Sequence, residues 1–260
     1  MNVGGNELVV ASDHELARLA AVAAGRALMT LREEMGFSDP KRLRDEGDRT
    51  AHVLLMQLLA EQRPDDAVLS EEGDDTEGRP DRAGATRVWV IDPLDGTREY
   101  SEGRADFAVH VGLAVDGMPM VGAVALPGED LVLVTGARRS RARTLAPRRA
   151  GPLRIVVSRT RPPVEAKRVA ARLGAELVPM GSAGAKTAAV LRGAVDAYVH
   201  SGGQYEWDSA APVAVAHAYG AYAARLDGSV LLYNQPDPWL PDLLVCRPEL
   251  SGDILDALHP

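Results

Sequence analysis

The densest chemistry in this chain lies in one short stretch, Val88-Trp89-Val90-Ile91-Asp92-Pro93-Leu94-Asp95-Gly96-Thr97. The apolar run reads as a buried strand that delivers Asp92, and Pro93 stops the hydrogen-bond ladder there. Asp95 follows three residues on, so a turn can aim both carboxylates and the Leu94 carbonyl at one point. Such an all-oxygen set suits Mg²⁺, Mn²⁺ or Ca²⁺ rather than zinc. Gly96 and Thr97 open a helical turn whose backbone N–H groups can hold a phosphate, and glycine lets that phosphate approach closely. Glu71 ends its own strand in the same way. Asp208 follows Trp207 at a predicted helix start, after the Gly-rich Ser201-Gly202-Gly203-Gln204. Singly, each acid has an ordinary explanation as a turn, cap or first-turn residue. Four carboxylates converge only around cations, because their repulsion would otherwise raise their pKa values and loosen the loops.

Three motifs stand in order along the chain: Leu69-Ser70-Glu71-Glu72, Trp89 to Thr97, and Glu206-Trp207-Asp208-Ser209-Ala210-Ala211. Together they resemble the motifs of the inositol monophosphatase superfamily, from about Asp48 to Gly228. Gly181-Ser182-Ala183-Gly184-Ala185-Lys186 and Tyr205-Glu206-Trp207-Asp208 are most similar to the CysQ branch, the 3′-phosphoadenosine 5′-phosphate phosphatases. The resemblance implies an α/β fold, a layered sandwich of alternating helices and sheets. It implies a lithium-sensitive, Mg²⁺-dependent phosphoric monoester hydrolase of the 3′(2′),5′-bisphosphate nucleotidase type, linked to sulfate assimilation.

By the same resemblance, Glu71, Asp92 and the Leu94 carbonyl would hold one Mg²⁺, and Asp92, Asp95 and Asp208 a second. Glu71 would reach a third ion through water. Gly96 and Thr97 would bind the scissile phosphate, with Ser182, Lys186 and Asp208 also facing substrate. Asp48 and Thr97, beside Glu71, would position and help deprotonate the attacking water. Phosphate-monoester hydrolysis is among the slowest uncatalysed reactions, with enzymatic accelerations up to ~10²¹. That scale explains two metal ions, one acidifying the water and one stabilising the leaving oxygen.

The chain departs from the family's pattern in two places. Asp45-Glu46-Gly47-Asp48 replaces a Thr-x-Ala-Asp run, so Asp48 is the expected water-orienting acid, with Asp45 as the alternative. An arginine-rich run, Arg138 to Arg149, replaces a Gly-rich hairpin and reads as a solvated loop. The competing functions are an inositol-1-monophosphatase or fructose-1,6-bisphosphatase of the same superfamily, and a cation-binding regulatory module without turnover. A lysine at 186 would find a partner in a second substrate phosphate; its bland alternative is a solvated helix lysine.

Other chemistries are poorly supported. The net charge of −8 argues against a nucleic-acid partner. The single cysteine, Cys246, excludes an intramolecular disulfide or a Cys-built metal site, and position 252 is glycine where a Cys-based phosphatase loop needs arginine. Cys246 is expected to be a small buried hydrophobe. The six histidines form no i, i+4 metal pair. His110 alternates with Val109 and Val111 on a strand and receives no role, while His200 fits a substrate contact or a structural one equally. Gly184-Ala185-Lys186-Thr187 imitates a phosphate-binding P-loop but has the wrong glycine spacing. No apolar run is long enough to span a membrane, and Met1 to Ala11 lacks the basic start of a signal peptide. The expected setting is cytoplasmic, with a small phosphorylated substrate; a homodimer is compatible with the family resemblance.

Two parts must position these residues. Residues 1–150 form the first, with an antiparallel meander and most of the ligands, and residues 151–260 form an α/β part that supplies Asp208. Ser12 and Glu15 start a helix whose expected face is Leu16, Ala20, Ala23, Ala27 and Leu31, with a stop at Gly36. Ser38 to Gly47 reads as a polar connection before a second helix from Asp48 to Arg63. Strands are expected at Ala67 to Ser70, Val88 to Ile91, Phe107 to Val115, Val121 to Leu126 and Leu131 to Val134, with a polar loop from Gly73 to Arg87. Strands at Arg154 to Ser158, Glu176 to Pro179 and Val195 to Val199 then alternate with helices at Val164 to Leu173, Ala185 to Leu191 and Trp207 to Tyr219. Short strands near Val230 to Leu232 and Leu243 to Val245 complete the reading.

Overall fold

The computed structural model describes residues 11–73, 80–136 and 144–259. Residues 1–10, six of the fifteen residues of the expected Gly73 to Arg87 loop and half of the arginine run therefore lie outside the described residues.

Helix α1 (Asp13–Met35) starts as its sequence signals: the Ser12 side chain accepts the Glu15 N–H, and Gly36 closes the helix at φ +63°. Its buried face is rotated from the expected one. Leu16, Ala20, Ala24 and Leu28 point inward with Ala17 and Ala21, while Ala23, Ala27 and Leu31 are half-buried. So many alanines leave the apolar stripe ambiguous from sequence. Helix α2 (Pro40–Gln62) corrects the expected polar connection, since Ser38 to Gly47 is mostly helical. Asp39 caps it by accepting the Arg42 N–H, and Pro40 occupies the first turn, where no N–H is needed. Leu43, Gly47, Ala51, Leu55 and Leu59 then continue one buried stripe.

The first sheet has the order β1 (Ala67–Ser70), β2 (Arg87–Asp95), β3 (Ala108–Val115), β4 (Met118–Leu126) and β5 (Leu131–Val134). Strands β3 to β5 form the expected antiparallel meander, β2 extends it by pairing antiparallel to β3, and β1 joins parallel to β2. The β3–β4 turn uses Asp116 and Gly117, both at positive φ, as a tight two-residue hairpin requires. Helix α3 (Thr97–Ser101) follows β2 directly.

The second sheet has the order β7 (Glu176–Met180), β6 (Arg154–Ser158), β8 (Ala197–Tyr205), β10 (Trp239–Cys246) and β9 (Tyr222–Ala224). The Gly-rich segment before Asp208 is part of β8, paired with β10, rather than a loop. Val230 to Leu232 is not a strand; the edge strand is β9, paired to β10 through Tyr222 to Ala224. Helices α4 (Val164–Leu173), α5 (Ala183–Leu191), α6 (Glu206–Ala218) and α7 (Ser251–Leu258) complete this half, and α7 is an element beyond those expected.

The layers alternate as expected for an α/β sandwich. α1 and α2 cover one face of the first sheet, α5 and α6 fill the space between the sheets, and α4 and α7 cover the far face of the second. The largest apolar cluster joins Val90 and Val124 of the first sheet to Tyr198 and Leu243 of the second through Ala188, Ala211 and Val215. Small side chains make the middle layer thin, which draws the two sheets and their loop ends together.

Candidate metal centre and phosphate site

In a regular strand, residues three apart point to opposite faces. Asp92 and Asp95 escape this through a bulge. Asp92 stands opposite His110 and Asp95 opposite Ala108, so β2 spends one residue more than β3 between the two pairs. A bulge of this kind re-aims side chains beside active sites. Asp92 is fully buried, and its Oδ1 accepts the Leu94 N–H at 3.0 Å. Leu94 itself is buried between the two acids.

Asp95 is held by three groups at one oxygen. Its Oδ2 accepts the Ser182 hydroxyl at 2.5 Å and the Gly184 N–H at 2.8 Å, and His110 Nε2 lies 3.2 Å away. All these contacts use Oδ2, which leaves Oδ1 for a cation. Burial alone would raise this carboxyl, but His110, Lys186 and Ser182 outweigh it and hold the group below the usual range.

Helix α6 brings Asp208. The acid is the third residue of the helix, and its Oδ2 accepts the Tyr205 N–H at 2.7 Å. Carboxylate oxygens of Asp92, Asp95 and Asp208 all lie within 4.8 Å of one another. Glu71 flanks this trio: its N–H donates to Ile91 at the end of β1, and its side chain hydrogen-bonds Asp92. Loss of surrounding water, with Asp208, Asp95 and Glu72 nearby, pushes Glu71 up to about 7. Burial and Asp95 push Asp208 up to about 6, and burial with Glu71 and Asp95 raises Asp92 well above the carboxylate range. Four crowded acids, three of them with raised pKa values, are what a cation site looks like without its cation. The oxygen-only donor set fits a hard divalent ion.

Gly96 is at φ +90°, and a Cβ there would stand 3.3 Å from the Asp106 carbonyl, Phe107 Cα and Ser182 Cβ. It opens α3, and Thr97 follows at the first helical position. Asp48 reaches the site from α2. Burial, then Glu72 and Glu71, push its carboxyl up to about 8. Gly47 makes this approach feasible, since a Cβ there would already lie 3.0 Å from Leu94 and Tyr100. Asp45 turns the other way and pairs with Lys41 at 2.9 Å on the exposed surface. The geometry thus separates two acids that the sequence left as alternatives.

Ser182 caps α5 by accepting the Ala185 N–H at 3.0 Å while donating to Asp95. Lys186 is not a solvated helix lysine: it is 5% exposed. Its Nζ lies 3.4 Å from the Gly181 carbonyl and 5.0 Å from the centre of the Tyr198 ring. Burial lowers its pKa, against the pull of Asp95 and Asp208. His110 went unassigned, yet it is wholly buried, and its Nδ1 lies 3.1 Å from the Trp207 carbonyl. Only knowledge of strand pairing, which puts it opposite Asp92, could have found it. His200 is buried beside the Gly203 carbonyl, and burial with Lys186 lowers it to about 4, which fits a structural role. Cys246 is buried as expected.

The model of the inositol monophosphatase family matches residues 9–255. The chain belongs to the inositol monophosphatase family. Within that family it is 47% identical over 266 residues to the 3′-phosphoadenosine 5′-phosphate phosphatase of Mycobacterium leprae, covering 95% of this chain and 94% of that one. It is 31% identical over 199 residues to the 3′(2′),5′-bisphosphate nucleotidase CysQ of Escherichia coli K12, covering 74% and 80%. Among solved structures, CysQ from Bacteroides thetaiotaomicron aligns at a TM-score of 0.74 with 25% identity, covering 90% of this chain and 96% of that one. Inositol monophosphatase II from Staphylococcus aureus aligns at 0.77 with 22% identity, covering 95% of each, which shows the shared fold. As a family member the chain has the expected layered fold and an acidic cluster suited to metal. No helix among the described residues is long and apolar enough to cross a membrane.

Proposed function

We propose that this protein is a Mg²⁺-dependent phosphomonoesterase that hydrolyses 3′-phosphoadenosine 5′-phosphate to AMP and phosphate. The observation that carries the reading is the meeting of Asp92 and Asp95, at the end of β2, with Asp208, in the first turn of α6, beside Glu71. The chain's 50% identity over 90% of its length to the 3′-phosphoadenosine 5′-phosphate phosphatase of Mycobacterium bovis supports the substrate.

In this reading Glu71, Asp92 and the Leu94 carbonyl would hold one ion, Asp92, Asp95 and Asp208 a second, and Glu71 a third through water. When bound, such ions supply positive charge against the phosphate and a more acidic water. Gly96 and Thr97 present backbone N–H groups to the scissile phosphate. Asp48 and Thr97 orient the attacking water, with Asp48 and Glu71 available to take its proton. His110 and Ser182 keep Asp95 in place throughout.

A basic cavity of about 440 Å³ supports a substrate with two phosphates. It is lined by Arg98, Arg159, Arg161, Ser182 and Lys186. Arg159 is already paired with Glu99 and Glu102, each at 2.8 Å. Arg98, Arg161 and Lys186 make no ion pair among the described residues, and Lys186 contacts only the Gly181 carbonyl and the face of Tyr198 there. That excess of positive charge favours a further anionic group next to Ser182. The reading also takes the chain as two lobes, 1–150 and 151–260, working in the cytoplasm, with a homodimer as its assembly.

Phosphate release with Mg²⁺ from 3′-phosphoadenosine 5′-phosphate, inositol 1-phosphate and fructose 1,6-bisphosphate tests the proposal. The highest kcat/KM is expected on the first, and Lys186→Ala should lower that value more than the value on inositol phosphate. No release from any of the three, with metal demonstrably bound, overturns the reading in favour of a cation-binding module.

A further inference from the structure

Two of the three tryptophans meet a tyrosine beside the carboxylate cluster. Tyr205 and Trp207 stack with ring centres 4.7 Å apart and planes 10° from parallel. Trp239 meets Tyr205 edge-to-face at 5.4 Å and 82°. The backbone sets this arrangement: β10 pairs with β8 so that Trp239 stands opposite Tyr205. Gly203 leaves the space for it, since a Cβ there would lie 2.0 Å from the Trp239 ring.

Core packing accounts for Trp207, which lies against the apolar cluster between the sheets, but not for Tyr205 and Trp239. Trp89, Tyr100, Phe107, Tyr198 and Tyr233 are fully buried, as large aromatics usually are. Tyr205 and Trp239 instead remain 41% and 47% exposed. They also begin at the site itself, because the Tyr205 N–H donates to Asp208 and Trp207 is the neighbouring residue. The result is a partly exposed aromatic cluster joined to the acidic site through the Tyr205 backbone, with its rings held by one another and by a glycine cradle.

We propose that the corner made by Tyr205 and Trp239 receives the purine ring of the substrate, which stacks on one of these two rings and meets the other with its edge, while Trp207 stacks against Tyr205. This inference rests on the reading of the substrate as a nucleoside bisphosphate. The rings sort substrates by whether they carry a base, not by which purine it is, since stacking on a flat π-face tolerates any base. Neither side chain contributes an oxygen to the acidic cluster, so the platform acts on substrate affinity rather than on the chemical step.

Calorimetric titration of the Mg²⁺-loaded protein with adenosine 5′-monophosphate and with ribose 5-phosphate separates base from phosphate. The wild type should prefer the nucleotide. The Tyr205→Ala/Trp239→Ala variant should lose about 5- to 150-fold in nucleotide affinity while holding ribose 5-phosphate within about twofold. Tyr205→Phe should retain the preference, because the ring survives. On 3′-phosphoadenosine 5′-phosphate the double variant should lose through KM with kcat kept. A second readout needs no variant: adenosine 5′-monophosphate should quench the wild-type tryptophan fluorescence and ribose 5-phosphate should not. Equal loss for both ligands, an unchanged nucleotide affinity, or no base-dependent quenching overturns the platform. Base-dependent binding without hydrolysis of the bisphosphate would retain the platform and remove the substrate reading, so the two fail separately.

Discussion

His110 Nε2 lies 3.2 Å from Asp95 Oδ2, with both side chains buried. The other ring nitrogen lies 3.1 Å from the Trp207 carbonyl, so Nδ1 must donate there. One imidazole thus ties the β2 bulge to the first turn of α6. Replacing it with alanine removes both anchors. His110→Ala should cost on the order of 3 kcal/mol of stability and weaken Mg²⁺ binding about 10- to 100-fold. Chemical denaturation and Mg²⁺ titration would measure the two; an unchanged Mg²⁺ affinity would show that Asp95 needs no such support.

Asp92 is the most deeply buried acid of the cluster and the one surrounded by the other three. Asp92→Asn removes an ion ligand and a repulsive charge together. Turnover should vanish, while without divalent ions at pH 8.5 the variant should melt above the wild type. Mg²⁺ should stabilise the variant much less than the wild type. Thermal melts with and without chelator check this, and a fully active variant refutes the ligand assignment.

Raised acids set the pH dependence of the ion-free protein. The folded-state values are about 8 for Asp48, about 7 for Glu71 and about 6 for Asp208, all above their ordinary range. The folded protein therefore holds protons that the unfolded chain has released, and this stabilisation is lost as pH rises through those values. His200, lowered to about 4, works in the opposite direction but finishes by its ordinary value near 6.5. In chelator, Tm should fall between about pH 6.5 and 8.5, and saturating Mg²⁺ should remove most of the fall. A flat Tm across that window in chelator would mean the acids are not crowded in solution.

Asp208 reaches its partners because α6 lies directly on the first sheet at two glycines. A Cβ at Gly122 would come 2.5 Å from the Ala211 carbonyl and 2.9 Å from Ala214 Cβ, and one at Gly112 would come 3.0 Å from the Ala211 nitrogen. Gly122→Ala should cost about 1–3 kcal/mol through overpacking and weaken Mg²⁺ binding by lifting α6. Gly252→Ala is the control: it lies in α7 with nothing within 4 Å. It should stabilise by about 0.5–1 kcal/mol, as expected for alanine in an exposed helix. Equal effects at both positions would remove the argument for close approach.

Much of this protein was legible in its chain. The Asp92 to Thr97 turn, the caps at Ser12 and Gly36, and the Asp116-Gly117 hairpin rest on preferences that act within a few residues. Most strands and helices fall near their expected positions for the same reason. The errors are of two kinds. The first turns of α2 were hidden by their charged surface, although Asp39-Pro40 is a start signal. The edge strand β9 and the terminal α7 take their shape from β10 and α4, far away in sequence.

What the linear order of residues determined was which side chains could serve as ligands and which segments would become strands or helices, because local backbone energetics decides both. The packed molecule alone decided that Asp208 stands among Asp92 and Asp95, that Asp48 faces inward and Asp45 outward, that Lys186 is buried and that His110 matters. Each of those outcomes depends on the distance between elements remote in sequence. That distance is set by glycines and alanines whose absent bulk lets α2 and α6 close on the first sheet, and once closed, burial and neighbouring charge fix what each group can do.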